Sequence, residues 1–193
     1  MLEKTLVFAT VISRIFDPPV VLSILTIIGV AASDISHRGI TALFLLLPLF
    51  VGIPLAYFVW LLKTHKIHNL DVSNRKERVR PLIGLLLFLL IDIVVISLFD
   101  NPFLLNMFFL YFVWVLGFLL ITLVWKISGH TGVATLAAGL LVLWFGREYL
   151  PLFVIVPVVA WARIVRHDHT ILQVIAGSLY SLIILAIFSS WVY

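Results

Sequence analysis

Three short polar stretches lie between long apolar segments, and they contain the residue types that bind and transfer phosphate. The first is the basic stretch 74–81, the second is 126–130 (Lys-Ile-Ser-Gly-His), and the third comprises Arg163, His169 and Gln173. Phosphoryl transfer needs charge neutralisation and alignment more than covalent chemistry. Arginines and the free N–H groups of a helix N-terminus supply both, and histidines supply a nucleophile and a proton donor.

The second stretch has the pattern of a helix start. Ser128 is a good N-cap, and Gly129 permits close approach of a ligand to the backbone. His130 would stand in the first turn, beside a phosphate held by the helix N-terminus. The alternative is an ordinary capped helix with an interfacial histidine.

The third stretch has helical spacing. Gln173 follows His169 by four positions, so the two share a helix face and a hydrogen bond could fix the histidine tautomer. Arg163 ends the preceding helix and offers a planar fork for phosphate oxygens. The alternative is a set of cations and histidines that snorkel at a membrane interface.

The first stretch offers several candidate phosphate ligands. Arg75 and Arg78 are three positions apart and share a face if the segment is helical, so they are favoured over the alternates Arg80 and Lys126. The alternative is a positively charged loop that only sets membrane topology.

Composition places these stretches in a membrane protein. The chain is 63% hydrophobic and 11% charged, where a soluble domain carries about 25% charged residues. We therefore expect one integral membrane domain over residues 1–193. The absence of cysteine excludes disulfides and thiolate chemistry. A net charge of +4 fits anionic lipid headgroups and gives no indication of nucleic acid.

Hydropathy predicts an all-α, multi-pass helical bundle of about six transmembrane helices plus an N-terminal interfacial or kinked helix. The N-terminal segment, 5–32, is broken at Asp17-Pro18-Pro19, and we interpret Arg14 and Asp17 as interfacial anchors. The predicted spans that follow are 40–62, 81–99, 103–125, 131–146, 149–166 and 170–192.

Counting spans assigns the three polar stretches to one membrane face. The loop 33–39 lies on the opposite face, and an even number of crossings separates the loop 63–80 from both later stretches. The positive-inside rule makes the shared face cytoplasmic, although cations retained for catalysis would weaken that inference. The arrangement favours an anionic substrate that arrives from the bilayer.

The order of the motifs resembles the type 2 phosphatidic acid phosphatase family, which is related to vanadium-dependent haloperoxidases. That family has Lys-x6-Arg-Pro, Pro-Ser-Gly-His and Ser-Arg-x5-His-x3-Asp, and the resemblance covers residues 63–180 by order and spacing. It implies a helical membrane phosphatase, without metal or cofactor, that acts on lipid phosphates or diphosphates.

The resemblance also implies roles for individual residues. His169 would be the nucleophile, and His130 the general acid that protonates the leaving alkoxide. Arg163 and the amides of Ser128 and Gly129 would hold the phosphoryl oxygens.

Four positions depart from the family pattern. Ile127 replaces proline, Ala162 replaces serine, and Ser73 stands where the first motif has lysine. Gln173 replaces the aspartate, so the partner of His169 would be neutral and would stabilise an imidazolium less. Asp168 or Asp71 could supply the missing carboxylate, and the sequence does not decide between them.

Two other functions compete with the phosphatase. The first is a metal-dependent intramembrane hydrolase, which lacks an H-E-x-x-H motif and has few carboxylates. Its candidate ligands are His65, His68, His130, His167 and His169. The second is a non-catalytic membrane protein that binds anionic lipids.

Overall fold

The structure is a computed structural model that describes residues 2–33, 41, 44–45 and 47–192. As predicted, the chain is all-α: it is 85% helical, and the described part contains no strand. Within that part, five helical stretches are long and apolar enough to cross a membrane, which marks a membrane protein. They are Glu3–Ser33, Arg75–Ser97, Pro102–Val124, Arg147–Val165 and Ile171–Ser190, and the first and fourth each join two of the elements below. The predicted loop 33–39 lies outside the described residues beyond Ser33, as does part of the predicted span 40–62.

Eight α-helices are defined in the described residues. They are α1 Leu2–Ile15, α2 Pro18–Ser33, α3 Ile53–Lys63, α4 Arg75–Ser97, α5 Pro102–Val124, α6 Gly129–Phe145, α7 Ile155–Val165 and α8 Ile171–Val192. A π-helical turn, Pro48–Gly52, precedes α3, and a 3-10 segment, Arg147–Val154, precedes α7. The chain forms two compact units, Met1–Leu22 with Ile127–Tyr193, and Ser23–Lys126.

In the first unit, α1 packs along α7. Ala9 and Ile12 form a buried apolar cluster with Ala162, and the rings of Phe8 and Trp161 lie 6.0 Å apart. The helix stops at Ile15, before the predicted break at Asp17-Pro18-Pro19, because a proline suits the first turn of the next helix rather than the interior of a continuing one.

Close contact between α6 and α8 forms the second interface of this unit. The hydroxyl of Thr131 donates to the Val174 carbonyl at 3.0 Å, and that of Ser181 donates to the Gly132 carbonyl at 2.8 Å. A Cβ on Gly177 would overlap the backbone carbonyl of Ser128. Glycine at this position therefore permits the two backbones to touch.

A tight turn joins α7 to α8. The amide of Asp168 donates to the Arg163 carbonyl at 3.1 Å, and that of His167 donates to the Ile164 carbonyl at 2.9 Å. His167 has φ 58°, the left-handed conformation that ends a helix in this pair of bonds, a Schellman motif. The turn brings His169 back next to the end of α7.

In the second unit, α4 begins at Arg75, six residues before the predicted start of its span. Asn74 is the N-cap, and its side chain accepts from the Lys76 amide at 3.1 Å. Glu77 in the first turn accepts from the Asn74 side chain at 3.0 Å. These polar contacts extend the helix beyond its apolar part, so hydropathy alone gave the wrong boundary.

Candidate active site

Arg163 and His130 meet in the interior of the first unit. Arg163 is 1% exposed and His130 is 6% exposed. Nη1 of Arg163 lies 3.4 Å from Nε2 of His130 and donates to the hydroxyl of Ser13 at 2.5 Å. Two of the polar stretches, with one residue of α1, therefore surround a buried guanidinium, as expected for a group that binds an anion away from bulk water.

Asp17 also reaches His130. Its Oδ1 lies 3.5 Å from Nε2 of His130, and its Oδ2 lies 3.7 Å from Nη1 of Arg14. The sequence suggested an interfacial anchor at this position. That interpretation stays a prediction, and the structure adds that the carboxylate lies beside a predicted catalytic residue.

Asp168 lies between two arginines. Its Oδ2 accepts from Nε of Arg166 at 2.8 Å and lies 3.2 Å from Nη2 of Arg163. With Arg14 and Asp17, the site contains three guanidiniums and two carboxylates. The balance of three positive and two negative charges leaves the site cationic even with both histidines neutral, which suits an anionic ligand.

The hydrogen bond predicted between His169 and Gln173 is present. Nδ1 of His169 lies 3.0 Å from Oε1 of Gln173, and the same oxygen accepts the backbone N–H of Thr170 at 3.2 Å. A backbone N–H can only donate, so the shared side-chain atom must be the oxygen. Nδ1 of His169 is then the protonated nitrogen, and the neutral ring has its lone pair on Nε2.

Thr170 and Gln173 form a capping box at the start of α8. The amide of Gln173 donates to the Thr170 hydroxyl at 3.4 Å, while the Gln173 side chain returns to the Thr170 amide. The capping box holds the glutamine carbonyl in place, and that carbonyl in turn orients the His169 ring.

Ser128 connects the start of α6 to the start of α8. Its side chain is fully buried and caps α6 by accepting from the Thr131 amide. Its backbone N–H donates to the backbone carbonyl of Gln173 at 3.0 Å. This amide therefore already has an acceptor within the protein, and its contact with a phosphoryl oxygen stays a prediction. The amide of Gly129 begins α6 and has no intrahelical acceptor by helix geometry, so it remains the candidate donor of this pair.

The contacts within the site form a closed circuit that begins and ends at the start of α6. The Ser128 amide is bonded to Gln173, and the Gln173 side chain is bonded to His169. The His169 amide donates to the Arg163 carbonyl at 3.3 Å, and the Arg163 side chain reaches His130, two residues after Ser128. Six of the nine predicted site residues belong to this circuit or adjoin it; they are Ser128, Gly129, His130, Arg163, His169 and Gln173.

The other three predicted phosphate ligands belong to the second unit. Nη1 of Arg75 donates to the carbonyls of Thr122 and Leu123 at the end of α5. Nε of the buried Arg78 donates to the Val72 carbonyl at 2.8 Å, and Lys126 is the last residue of the unit. Both arginines thus have a structural task in their own unit, and their role as phosphate ligands stays a prediction.

The alternate Arg80 lines an open cleft of about 420 Å³ at the start of α4. Its guanidinium donates to the Lys66 carbonyl at 3.0 Å. Arg75 and Lys76 line the same cleft, together with Glu77. The cleft is a basic surface feature of the second unit.

No group of three histidine, cysteine, aspartate or glutamate side chains is close enough to hold a metal ion among the residues that the structure describes. His68 is committed to Glu77, with Nδ1 3.0 Å from Oε1. The metal-hydrolase alternative therefore lacks a ligand set in the described part of the chain.

Sequence reasoning missed Ser13, Asp17 and Thr170. Thr170 had a readable signal, because T-x-x-Q before an apolar run is a capping box. Ala9, Ser13 and Asp17 recur every four residues, which is the stripe of one helix face. That spacing did not indicate which distant helix the stripe would face.

No protein-family model matches this chain, and no significantly similar curated protein or solved structure was found.

Proposed function

We propose that the protein is a membrane lipid phosphatase that removes a terminal phosphate from a lipid phosphate or diphosphate through a phosphohistidine intermediate. The observation that carries the proposal is the circuit linking two buried histidines and a buried arginine, in which His169 has a defined tautomer. The resemblance of the motifs to type 2 phosphatidic acid phosphatases supports the same chemistry.

His169 is the proposed nucleophile. With Nδ1 donating to Gln173, the lone pair on Nε2 can attack phosphorus. A bond from Nε2 to phosphorus forms while the bond from phosphorus to the lipid oxygen breaks. The side-chain carbonyl of Gln173 accepts the Nδ1 hydrogen and so stabilises the positive charge that develops on the ring.

His130 is the proposed acid and base. Protonated on Nε2, it gives its proton to the departing alkoxide, which is a poor leaving group without it. The neutral ring then takes a proton from a water molecule that attacks the phosphohistidine. The phosphorus–nitrogen bond breaks, inorganic phosphate leaves, and His130 is protonated again.

Arg163 is the proposed ligand of the phosphoryl oxygens, with the Gly129 amide at the start of α6. Its guanidinium is buried, so its interaction with an anion is little screened. The neighbouring contacts with Ser13 and Asp168 orient the guanidinium before substrate arrives. Preorganised charge of this kind is a main source of rate acceleration in phosphoryl transfer.

The membrane spans suit a substrate whose tail remains in the bilayer. Phosphatidate, phosphatidylglycerophosphate and polyprenyl phosphates or diphosphates all present a phosphate at the interface and an apolar tail below it. The cations that span counting expects on the face of the site favour a cytoplasmic site under the positive-inside rule.

The test is phosphate release by the purified full chain in detergent, from a panel of these lipids, with and without chelator. We expect turnover of at least one lipid that chelator does not affect. Loss of turnover on chelation and its return with zinc would favour the metal-dependent alternative. The absence of any phosphate release, with lipid binding retained, would favour a non-catalytic lipid-binding protein.

A further inference from the structure

The first helix contributes a residue to the site that the phosphate-handling motifs do not contain. The residues Ala9, Ser13 and Asp17 form one stripe of α1 and its C-terminal extension. Ala9 is fully buried against α7, Ser13 accepts from Arg163, and Asp17 lies beside His130. The packing of α1 on α7 therefore determines where the Asp17 carboxylate lies.

Two groups with opposite effects contact Nε2 of His130. The guanidinium of Arg163, at 3.4 Å, can only donate, so its contact favours a lone pair on Nε2. The carboxylate of Asp17, at 3.5 Å, can only accept when ionised, so its contact favours a proton on Nε2. The two contacts therefore act in opposite directions on the protonation of this nitrogen.

We infer that Asp17 is a positioning residue that maintains His130 in the proton-bearing form required to protonate the leaving group. The inference rests on the proposed phosphatase function. When a phosphate occupies the Arg163 guanidinium, the donation from Arg163 to His130 weakens and the Asp17 contact prevails. Substrate binding would thus prepare the acid that the next step needs.

The distance between Asp17 and His130 fits this role. At 3.5 Å the contact exceeds the usual 2.9–3.0 Å of an N–H···O hydrogen bond. Charge attraction at that distance still favours the imidazolium. The carboxylate therefore favours a proton on Nε2, which His130 can transfer to a leaving oxygen.

The inference predicts a dependence on the leaving group. The test compares two phosphate monoesters. One is a long-chain alkyl phosphate, whose alkoxide must be protonated to leave; the other is a nitrophenyl phosphate with an alkyl chain of similar length on its ring, whose phenolate leaves unprotonated. For Asp17→Asn in the full chain, we expect kcat to fall roughly 10- to 100-fold on the alkyl ester and less than about threefold on the nitrophenyl ester. KM should change little, because Asp17 does not bind the phosphate.

Ser13→Ala is the matched control on the same stripe. It alters the Arg163 contact and leaves the Asp17 carboxylate in place, so both esters should be affected to the same degree. Asp17→Glu retains the charge and should recover most of the alkyl-ester activity. Vanadate binding by Asp17→Asn at wild-type affinity would show that the phosphate pocket has kept its fold.

Equal losses on the two esters for Asp17→Asn would overturn the inference and leave the phosphatase proposal intact. Full activity of Asp17→Asn on the alkyl ester would have the same meaning. Absence of turnover of both esters by the wild-type chain would instead overturn the proposed function, and this role for Asp17 with it.

Discussion

The backbone N–H of Ser128 donates a hydrogen bond to the backbone carbonyl of Gln173 across 3.0 Å. Ser128 caps the helix that begins at Gly129 and contains His130, and the Gln173 side chain orients His169. One bond therefore couples the positions of the two histidines. A change at the start of α6 should therefore affect the positions of both His130 and His169.

His169→Ala should abolish phosphate release, because it removes the nitrogen that we propose attacks phosphorus. Membrane insertion and thermal unfolding should stay close to wild type, since the His169 amide retains its bond to the Arg163 carbonyl. The measurement is lipid phosphate turnover, together with trapping of the phosphorylated protein. His167→Asn is the control, because His167 is exposed and asparagine tolerates its left-handed backbone. Wild-type turnover by His169→Ala would refute the nucleophile assignment.

Gln173→Leu should lower kcat by roughly 10- to 100-fold, because the loss of one hydrogen bond to a developing charge costs about 1.5–3 kcal/mol. Gln173→Glu should preserve or raise kcat, because a carboxylate accepts the same Nδ1 hydrogen and stabilises the imidazolium more strongly. Single-turnover rates separate this effect from product release. An unchanged chemical step in Gln173→Leu would transfer the orienting role to another group.

Thr170→Ala separates capping from orientation. It removes the hydroxyl that accepts from the Gln173 amide and leaves the His169 contact with Oε1 in place. We expect a stability loss of about 0.5–2 kcal/mol in detergent unfolding and little change in kcat. A drop in kcat as large as that of Gln173→Leu would mean that the cap itself sets the ring position.

Gly177→Ala should destabilise the first unit by about 1–3 kcal/mol and reduce turnover, because its Cβ would meet the Ser128 backbone. Gly139→Ala is the matched control on the same helix interface. Its Cβ would meet only the end of the Leu185 side chain, which can change rotamer. Thermal unfolding of both variants and the wild type measures the difference. A Gly177→Ala variant as stable as the wild type would show that α8 can move away from α6 without cost.

Vanadate should inhibit the proposed phosphate release, because it adopts the trigonal bipyramidal shape of the phosphoryl transition state and the Arg163 guanidinium offers donors for its oxygens. Arg163→Lys should weaken that inhibition, since an ammonium lacks the planar fork. The vanadate concentration for half-inhibition is the measured quantity. Inhibition of equal strength in both proteins would remove Arg163 from the phosphate pocket.

The sequence predicted the features that depend on local spacing. The four-residue interval between His169 and Gln173 gave their hydrogen bond, and Asp17-Pro18-Pro19 gave the helix break. Hydropathy located the span that became Pro102–Val124 within one residue at each end. Periodicity and proline act over a few residues, so the sequence itself contains this information.

The features that depend on tertiary packing were not predictable. The partners of the Arg75 guanidinium, the last carbonyls of α5, lie 47 and 48 residues away along the chain, and no pattern in the sequence indicated them. Ser128 was expected to offer its amide, which the Gln173 carbonyl occupies. Both contacts pair a backbone group at a helix end that has no intrahelical partner, and no pattern along the chain specifies which distant group pairs with it.

The hydrogen bond between Arg163 and Ser13 joins positions that are 150 residues apart. At ribosomal speeds of about 5–20 residues per second, α1 waits on the order of ten seconds before α7 is synthesised. The loop closed by this hydrogen bond costs only slightly more entropy than a shorter one, since each doubling of loop length costs only about 0.6 kcal/mol. A nascent or truncated chain therefore contains Ser13 and Asp17 without the arginine and histidine that they contact in the folded unit. The unit that contains the candidate site can assemble only after α6, α7 and α8 have all been synthesised.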